Sequence, residues 1–216
     1  MSTAVAYRPI GLTPTSFMEM QLGAGAFFIG IDTNDVTAAT TAEEFAVKLE
    51  AAREAGGTLG ATTGGGTFVA TPEVRQIEAD DMTYPVIGST VFDSWEIMLT
   101  TTIKEINRAN LERVLSATVT DPSSGAKMIS STLLPEHYIP RLGWAGIKGD
   151  GGLIYIELHN ALNTSGMTMT MANQGEASIP VEFRGHQSKL DEMQYAPCRI
   201  FFFDRDGSGS SGTVTP

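Results

Sequence analysis

Val91-Phe92-Asp93-Ser94-Trp95-Glu96-Ile97-Met98-Leu99-Thr100 is the clearest period-two stretch of the chain. Val91, Trp95, Ile97 and Leu99 share one face, with Asp93 the exception, and Phe92, Ser94, Glu96, Met98 and Thr100 make the other. Such alternation predicts a half-buried β-strand, because successive side chains of a strand point to opposite sides. The same period recurs on both sides of it. Thr67–Ala70 and Val74–Glu78 read as short strands broken at Thr71-Pro72, and Met128–Leu134 and Tyr138–Trp144 read as two more. Leu153–Asn160 follows, with Ile154, Ile156 and Leu158 expected inward. Lys148-Gly149-Asp150-Gly151-Gly152 supplies the hairpin turn before it.

Further along, Met167, Met169 and Met171 alternate with threonines, the chain turns over Ala172–Ala177, and Ile179, Val181 and Phe183 alternate with Pro180, Glu182 and Arg184. Simple core packing accounts for the three methionines. Arg199–Phe203 is apolar enough to be core or interface. Two helices interrupt the strands. Thr41-Ala42-Glu43-Glu44 fits a capping box and opens a helix with Phe45, Leu49 and Ala52 on one stripe, closed by Gly56-Gly57. The second carries Ile103, Ile106 or Asn107, Leu111, Val114 and Leu115. Many short strands with one or two helices predict a mainly β chain, a β-sandwich or small barrel with a flanking α-helix.

Three segments follow from composition. Residues 1–40, rich in Thr, Ala and Gly, read as an N-terminal arm with one short apolar strand around Ala26–Ile31. Residues 41–204 form the β domain with an extended loop at about 56–71, and residues 205–216 read as a flexible tail.

The chain has 216 residues and a formal charge of −11, from 25 acids and 14 Lys plus Arg. That surface repels a phosphate backbone, which argues against tight nucleic-acid binding. No apolar run approaches the roughly 20 residues a membrane helix needs. The start, Met1 to Pro9, shows no secretory pattern, so a cytoplasmic setting is expected. Cys198 is the single cysteine, and its apolar neighbours point to a small core residue.

Chemistry-bearing constellations are sparse. His137, His159 and His186 lie in separate segments without an i, i+4 pair, so structural roles are expected. Gly56–Gly66 lacks the Gly-Lys-Ser/Thr ending of a phosphate loop. Asp204-x-Asp206-Gly207 resembles the opening of a calcium loop but lacks the third chelating residue and the distal Glu, and Asp32-x-Asn34-Asp35 fails likewise. No Gly-x-Ser-x-Gly elbow occurs, and Asp80-Asp81 sits in an expected solvated turn. The expectation is a non-enzyme with no catalytic, cofactor or metal residues.

Leu59-Gly60-Ala61-Thr62-Thr63-Gly64-Gly65-Gly66-Thr67-Phe68, then Thr71-Pro72-Glu73-Val74-Arg75-Gln76-Ile77-Glu78, resembles tail tube (major tail) proteins of long-tailed bacteriophages. The resemblance continues through Gly88, Asp93-Ser94-Trp95-Glu96 and Asn107–Leu115, and returns at Ile179–Gln187 and Tyr195-Ala196-Pro197, about half of the chain. It implies a tail-tube-like β-sandwich whose protomers form hexameric rings, their inner strands joining into a barrel around a lumen. Stacked rings would make a virion tail, assembled in the bacterial host cytoplasm, through which DNA passes without specific binding. Tape measure, tail terminator and distal tail or baseplate proteins would be its partners. Acids on the lumen face, with Glu96 and Glu182 as the candidates, would hold DNA off the wall within a Debye length of about 8 Å.

Two other readings compete. The inner tube of a contractile tail or phage-like injection system would share the fold. A host- or carbohydrate-binding β-sandwich module would instead show exposed Trp or Tyr, whereas Trp95 and Trp144 are expected in the core.

Overall fold

The computed structural model describes residues 16–78, 80, 82–116, 133–171, 175–189, 195–205 and 213–214. The chain is mainly β. Among the described residues the strands are β1 (Gln21–Ile29), β2 (Thr62–Gln76), β3 (Thr90–Ile103), β4 (Ile139–Lys148), β5 (Leu153–Asn163), β6 (Ile179–Arg184) and β7 (Cys198–Phe203), and a two-residue β8 (Thr213–Val214) pairs with β7. All pairings are antiparallel, in the order β1-β4-β5-β6-β3-β2, with β7 also on β5. β1 and β2 stand at the two ends of that order and do not pair, so the sheet stays open and the expected barrel does not close within the chain.

β5 joins the two halves of the sheet. Leu153–Leu158 pair with β7, whereas Leu162 and Asn163 pair with β6. Asn160, at φ 44°, makes the change of partner; Asn tolerates this left-handed conformation better than most residues. The strand therefore bends at Asn160 rather than ending there. One core then forms between the halves, with Phe27, Leu142 and Leu158 from one side and Ile97, Leu99, Ile103, Val181 and Phe183 from the other.

A second cluster covers the opposite face of β4, β5 and β7. It is closed by α1 (Ala42–Glu54), the flanking helix. The capping box forms as expected: Glu44 N–H donates to the Thr41 hydroxyl at 3.2 Å, and Thr41 N–H to the Glu44 carboxylate at 3.0 Å. Phe45 lies 4.3 Å from Phe203 and 4.9 Å from Tyr155, ring centre to ring centre. Fully burying one such side chain stabilises by roughly 1.5–3 kcal/mol. Both faces of β5 carry buried residues, Tyr155 and Glu157 on one and Leu158 on the other, while Ile154 and Ile156 are only half-buried. Alternation alone had put Ile154 and Ile156 inward.

Several boundaries differ from the expectations. The arm expected over residues 1–40 is, from Gln21 onward, part of the sheet, with Phe27, Phe28 and Ile31 buried. The loop expected at 56–71 is mostly β2, which runs without a break through Thr71-Pro72. β2 is an edge strand, so Pro72 removes no bond that the sheet needs. Ile103 ends β3 rather than joining a helix; α2 (Arg108–Leu115) begins after Asn107, whose side chain accepts from Asn110 N–H at 2.8 Å. Residues 128–132 lie outside the described residues, and Leu133 and Leu134 are exposed and not in a strand. Met167 and Met169 pack against the core, whereas Met171 is exposed and the hairpin there shrinks to a Thr170–Ser178 bridge.

Gly143 of β4 carries the Tyr155 ring across its backbone. A Cβ there would fall 1.9 Å from the Tyr155 hydroxyl oxygen and 2.2 Å from Cζ. The ring is held under α1, so Gly143→Ala should cost about 1–3 kcal/mol as an overpacking change. Urea denaturation measures it, and a midpoint equal to that of the parent chain would refute the close packing.

Candidate functional site

Antiparallel partners share a face, so the register builds the outer surface of β2, β3 and β6. Ile97, Leu99, Ile103, Ile179, Val181 and Phe183 point to the core. Glu96, Met98, Thr100 and Thr102 therefore lie on the other side with Pro180, Glu182 and Arg184, beside Thr67, Val69 and Thr71 of β2. Glu96 and Glu182 thus share one face. Glu96 is paired with the Arg184 guanidinium. Glu182 accepts from the Thr164 hydroxyl at 3.1 Å. A groove of about 440 Å3 in this face is lined largely by hydroxyls, among them Thr63, Thr67, Thr100, Thr102 and Ser165, with Glu182 its one carboxylate. With Arg184 cancelling Glu96, this face is much less acidic than the net charge suggests.

β6 ends opposite Met98, and Gly185 N–H still donates to the Ile97 carbonyl at 3.1 Å. Beyond that point β2 and β3 continue as a two-stranded ribbon, Thr71–Gln76 against Thr90–Glu96. Its register shifts between Glu73 and Val74, which leaves Asp93 without an opposite residue. Such a bulge inverts the alternation beyond it. Phe92 consequently meets Trp95, with ring centres 5.6 Å apart, although the plain period of two had put them on opposite faces. Trp95 lies opposite Pro72 and Phe92 opposite Val74. Trp95, Phe92 and Val74 are exposed, and so are Ile77, Tyr84, Val86 and Ile87 past the ribbon. The polar positions hold one another: Arg75 binds Asp93 at 3.0 Å and the Ser94 hydroxyl donates to Glu73 at 2.5 Å. Trp144, also expected in the core, is half-buried and does pack against the core, and its indole N–H donates to the Ala24 carbonyl at 3.0 Å.

A second recess, of about 520 Å3, lies among β4, β5, β7 and the turns around Asn34 and Gln187. Its floor is Glu157, only 1% exposed. Its carboxylate accepts from the Thr33 hydroxyl at 2.5 Å and lies 3.4 Å from His159 Nε2 and 3.7 Å from Arg141 Nε. Arg141 also binds Asp32 at 2.8 Å. The Asp32 carboxyl is held below its ordinary range, first by the N–H of Asn34 and then, against some desolvation, by Arg141. Cys198, at the edge of this recess, is buried, and burial pushes its thiol up to about 11. At neutral pH it is therefore a protonated packing residue.

The other histidines hold local structure. His137 Nδ1 takes the N–H of Leu134 at 2.8 Å, and His186 Nδ1 meets the Asn160 carbonyl at 3.2 Å. Asp204 is engaged by Lys148 at 3.4 Å. Among the described residues no group of three His, Cys, Asp or Glu side chains is placed to hold a metal ion.

Sequence reasoning missed Arg184 as the partner of Glu96 and the Thr33–Glu157–Arg141 cluster. The first depends on the register of β3 with β6 and joins residues 88 positions apart, and the second joins residues 124 positions apart; no local pattern encodes either. Thr33→Val should cost about 1.5–3 kcal/mol, the usual worth of a hydrogen bond to a charged group. Thermal unfolding tests this, and an unchanged midpoint would show that the Glu157 carboxylate does not need the hydroxyl. Compared with known proteins, the chain matches no protein-family model and no curated protein.

Proposed function

We propose that this chain is a structural subunit that polymerises with itself, the major tail tube protein of a long-tailed bacteriophage, forming stacked hexameric rings around a bore that conducts DNA. The observation that carries the reading is the ribbon of β2 and β3. Its apolar side, with Trp95, Phe92, Val74 and Pro72, continues the core-facing side of Ile97 and Leu99 outside the body of the chain. A two-stranded ribbon alone is marginal in water, and an exposed aromatic patch on it marks an interface. The hydroxyl-lined face beside it suits a bore wall, since it offers DNA neither a basic lining nor dense repulsion. In this reading the tape measure, tail terminator and distal tail proteins are the partners, and Glu182 is the acid that acts on passing DNA.

The exposed Trp95–Phe92 pair also favours a second reading, a host- or carbohydrate-binding β module with an aromatic platform. Negative-stain microscopy and size exclusion separate the two. The tube reading requires rings or hollow rods from the purified chain, lost in the Trp95→Ala, Phe92→Ala double variant while its thermal midpoint stays within the shift that about 1 kcal/mol produces. A chain that remains monomeric at every concentration and incubation time would sink it. An inner tube of a contractile or injection system would give the same rods, distinguished by whether a sheath protein coats them.

A further inference from the structure

We propose that the recess among β4, β5 and β7 binds an acidic peptide segment, with an Asp or Glu carboxylate of that segment seated on Arg199. The recess lies on the α1 side of β5, not on the outer face of β2, β3 and β6, so the proposal stands whether or not the chain builds tubes. Strand register sets its charged side chains together. Glu157 of β5 stands opposite Arg199 of β7, and His159 stands opposite Arg141 of β4. Residues two apart on a strand share a face, so the four side chains lie together, just past the apolar cluster that α1 closes.

The charges of the recess are not matched evenly. Glu157 uses its oxygens on the Thr33 hydroxyl, Arg141 and His159, and Arg141 takes Asp32 as well. Arg199 is left over. It lines the recess, is half-buried, and meets no carboxylate among the described residues. Most of the other described lysines and arginines do meet one. On a chain of charge −11, a partly enclosed guanidinium without an acid stands out. Enclosing a charge is unfavourable, and a well-placed anion offsets that cost. The planar fork of Arg199 matches the two oxygens of a carboxylate.

The polar walls select the kind of anion. Asn160 gives its NH2 group to the His186 carbonyl at 3.0 Å and the Ser188 hydroxyl at 3.2 Å, and Gln187 gives its own to the Tyr195 carbonyl at 2.6 Å. Both residues line the recess, and their side-chain carbonyl oxygens remain there as acceptors. An inorganic anion such as sulfate has no donor for these oxygens, and it would meet the Glu157 carboxylate on the floor. An extended peptide carries both parts, a carboxylate for the Arg199 fork and backbone N–H groups for the amide oxygens. The volume, about 520 Å3, lies within the range of pockets that enclose small ligands. Tyr195, 57% exposed at the rim, offers its ring to the rest of the segment.

Fluorescence anisotropy with two labelled peptides tests this, one with adjacent Asp and Glu residues and one with the corresponding amides in their place. The acidic peptide should bind the parent chain at least about tenfold more tightly, the usual worth of a charged hydrogen bond. Arg199→Gln should abolish that preference. Arg53→Gln, which changes the net charge equally on the exposed side of α1, should leave it intact. Arg199→Lys, which keeps the charge without the fork, should restore part of it. Equal binding of the two peptides, binding of neither, or equal loss in both Gln variants overturns the proposal. So does displacement by sulfate as effective as by the unlabelled acidic peptide, which would make the recess a site for any anion.

Discussion

β5 is hydrogen-bonded along both edges and covered on both faces, and this double coverage constrains everything around it. Tyr155 must pass over Gly143 because α1 closes the space above it. Leu158 faces the other way, into the core between the two halves. A strand packed so tightly cannot simply twist from one half into the other, and the turn is taken at Asn160 in a left-handed conformation. The ribbon runs free because β6 stops at Arg184, opposite Met98.

The buried polar groups follow from the same constraint. Glu157 sits on the helix side of β5, past the edge of the apolar cluster, and a carboxylate this enclosed needs partners. Thr33, Arg141 and His159 supply them, and Arg141 in turn tethers the turn at Asp32. Lys148, at the far end of β4, is compensated by three carboxylates from three separate parts of the chain, Glu19, Asp150 and Asp204. These two sites fasten the segments on either side of β1 to the body. They use charge because the apolar cores lie elsewhere.

Much of the fold was legible in the sequence wherever burial fell on one face only. Ile179, Val181 and Phe183 alternate plainly, and they are buried. The capping box at Thr41–Glu44 is a local device with local residues, and it formed where the residues put it. Reading failed where period two is broken by something not local. Two-sided burial hid the facing of β5. An edge position made Pro72 harmless to β2, so the apparent break was none. A bulge at Asp93 reversed the side of Phe92, and the odd placement of Asp93 in the alternation was its visible trace. Of the candidate surface, alternation sets Glu96 and Glu182 on the polar faces of their own strands, whereas that these faces are one, and that Arg184 pairs with Glu96, needed the register of β3 with β6.

That pairing changes how the net charge acts. A chain of charge −11 had suggested a repulsive wall, yet on the outer face of β2, β3 and β6 the acids are few and one is neutralised at close range. Exposed charges separated by more than about 8 Å are largely screened at physiological salt, so acids elsewhere on the molecule add little at this face. What a polyanion would meet in the groove of this face is mainly Thr and Ser hydroxyls, with Glu182 its one carboxylate and no cation. In the tube proposed above, such a wall would permit passage for a different physical reason than repulsion. It would leave the phosphate counterions in place, so that no counterion release would favour adhesion.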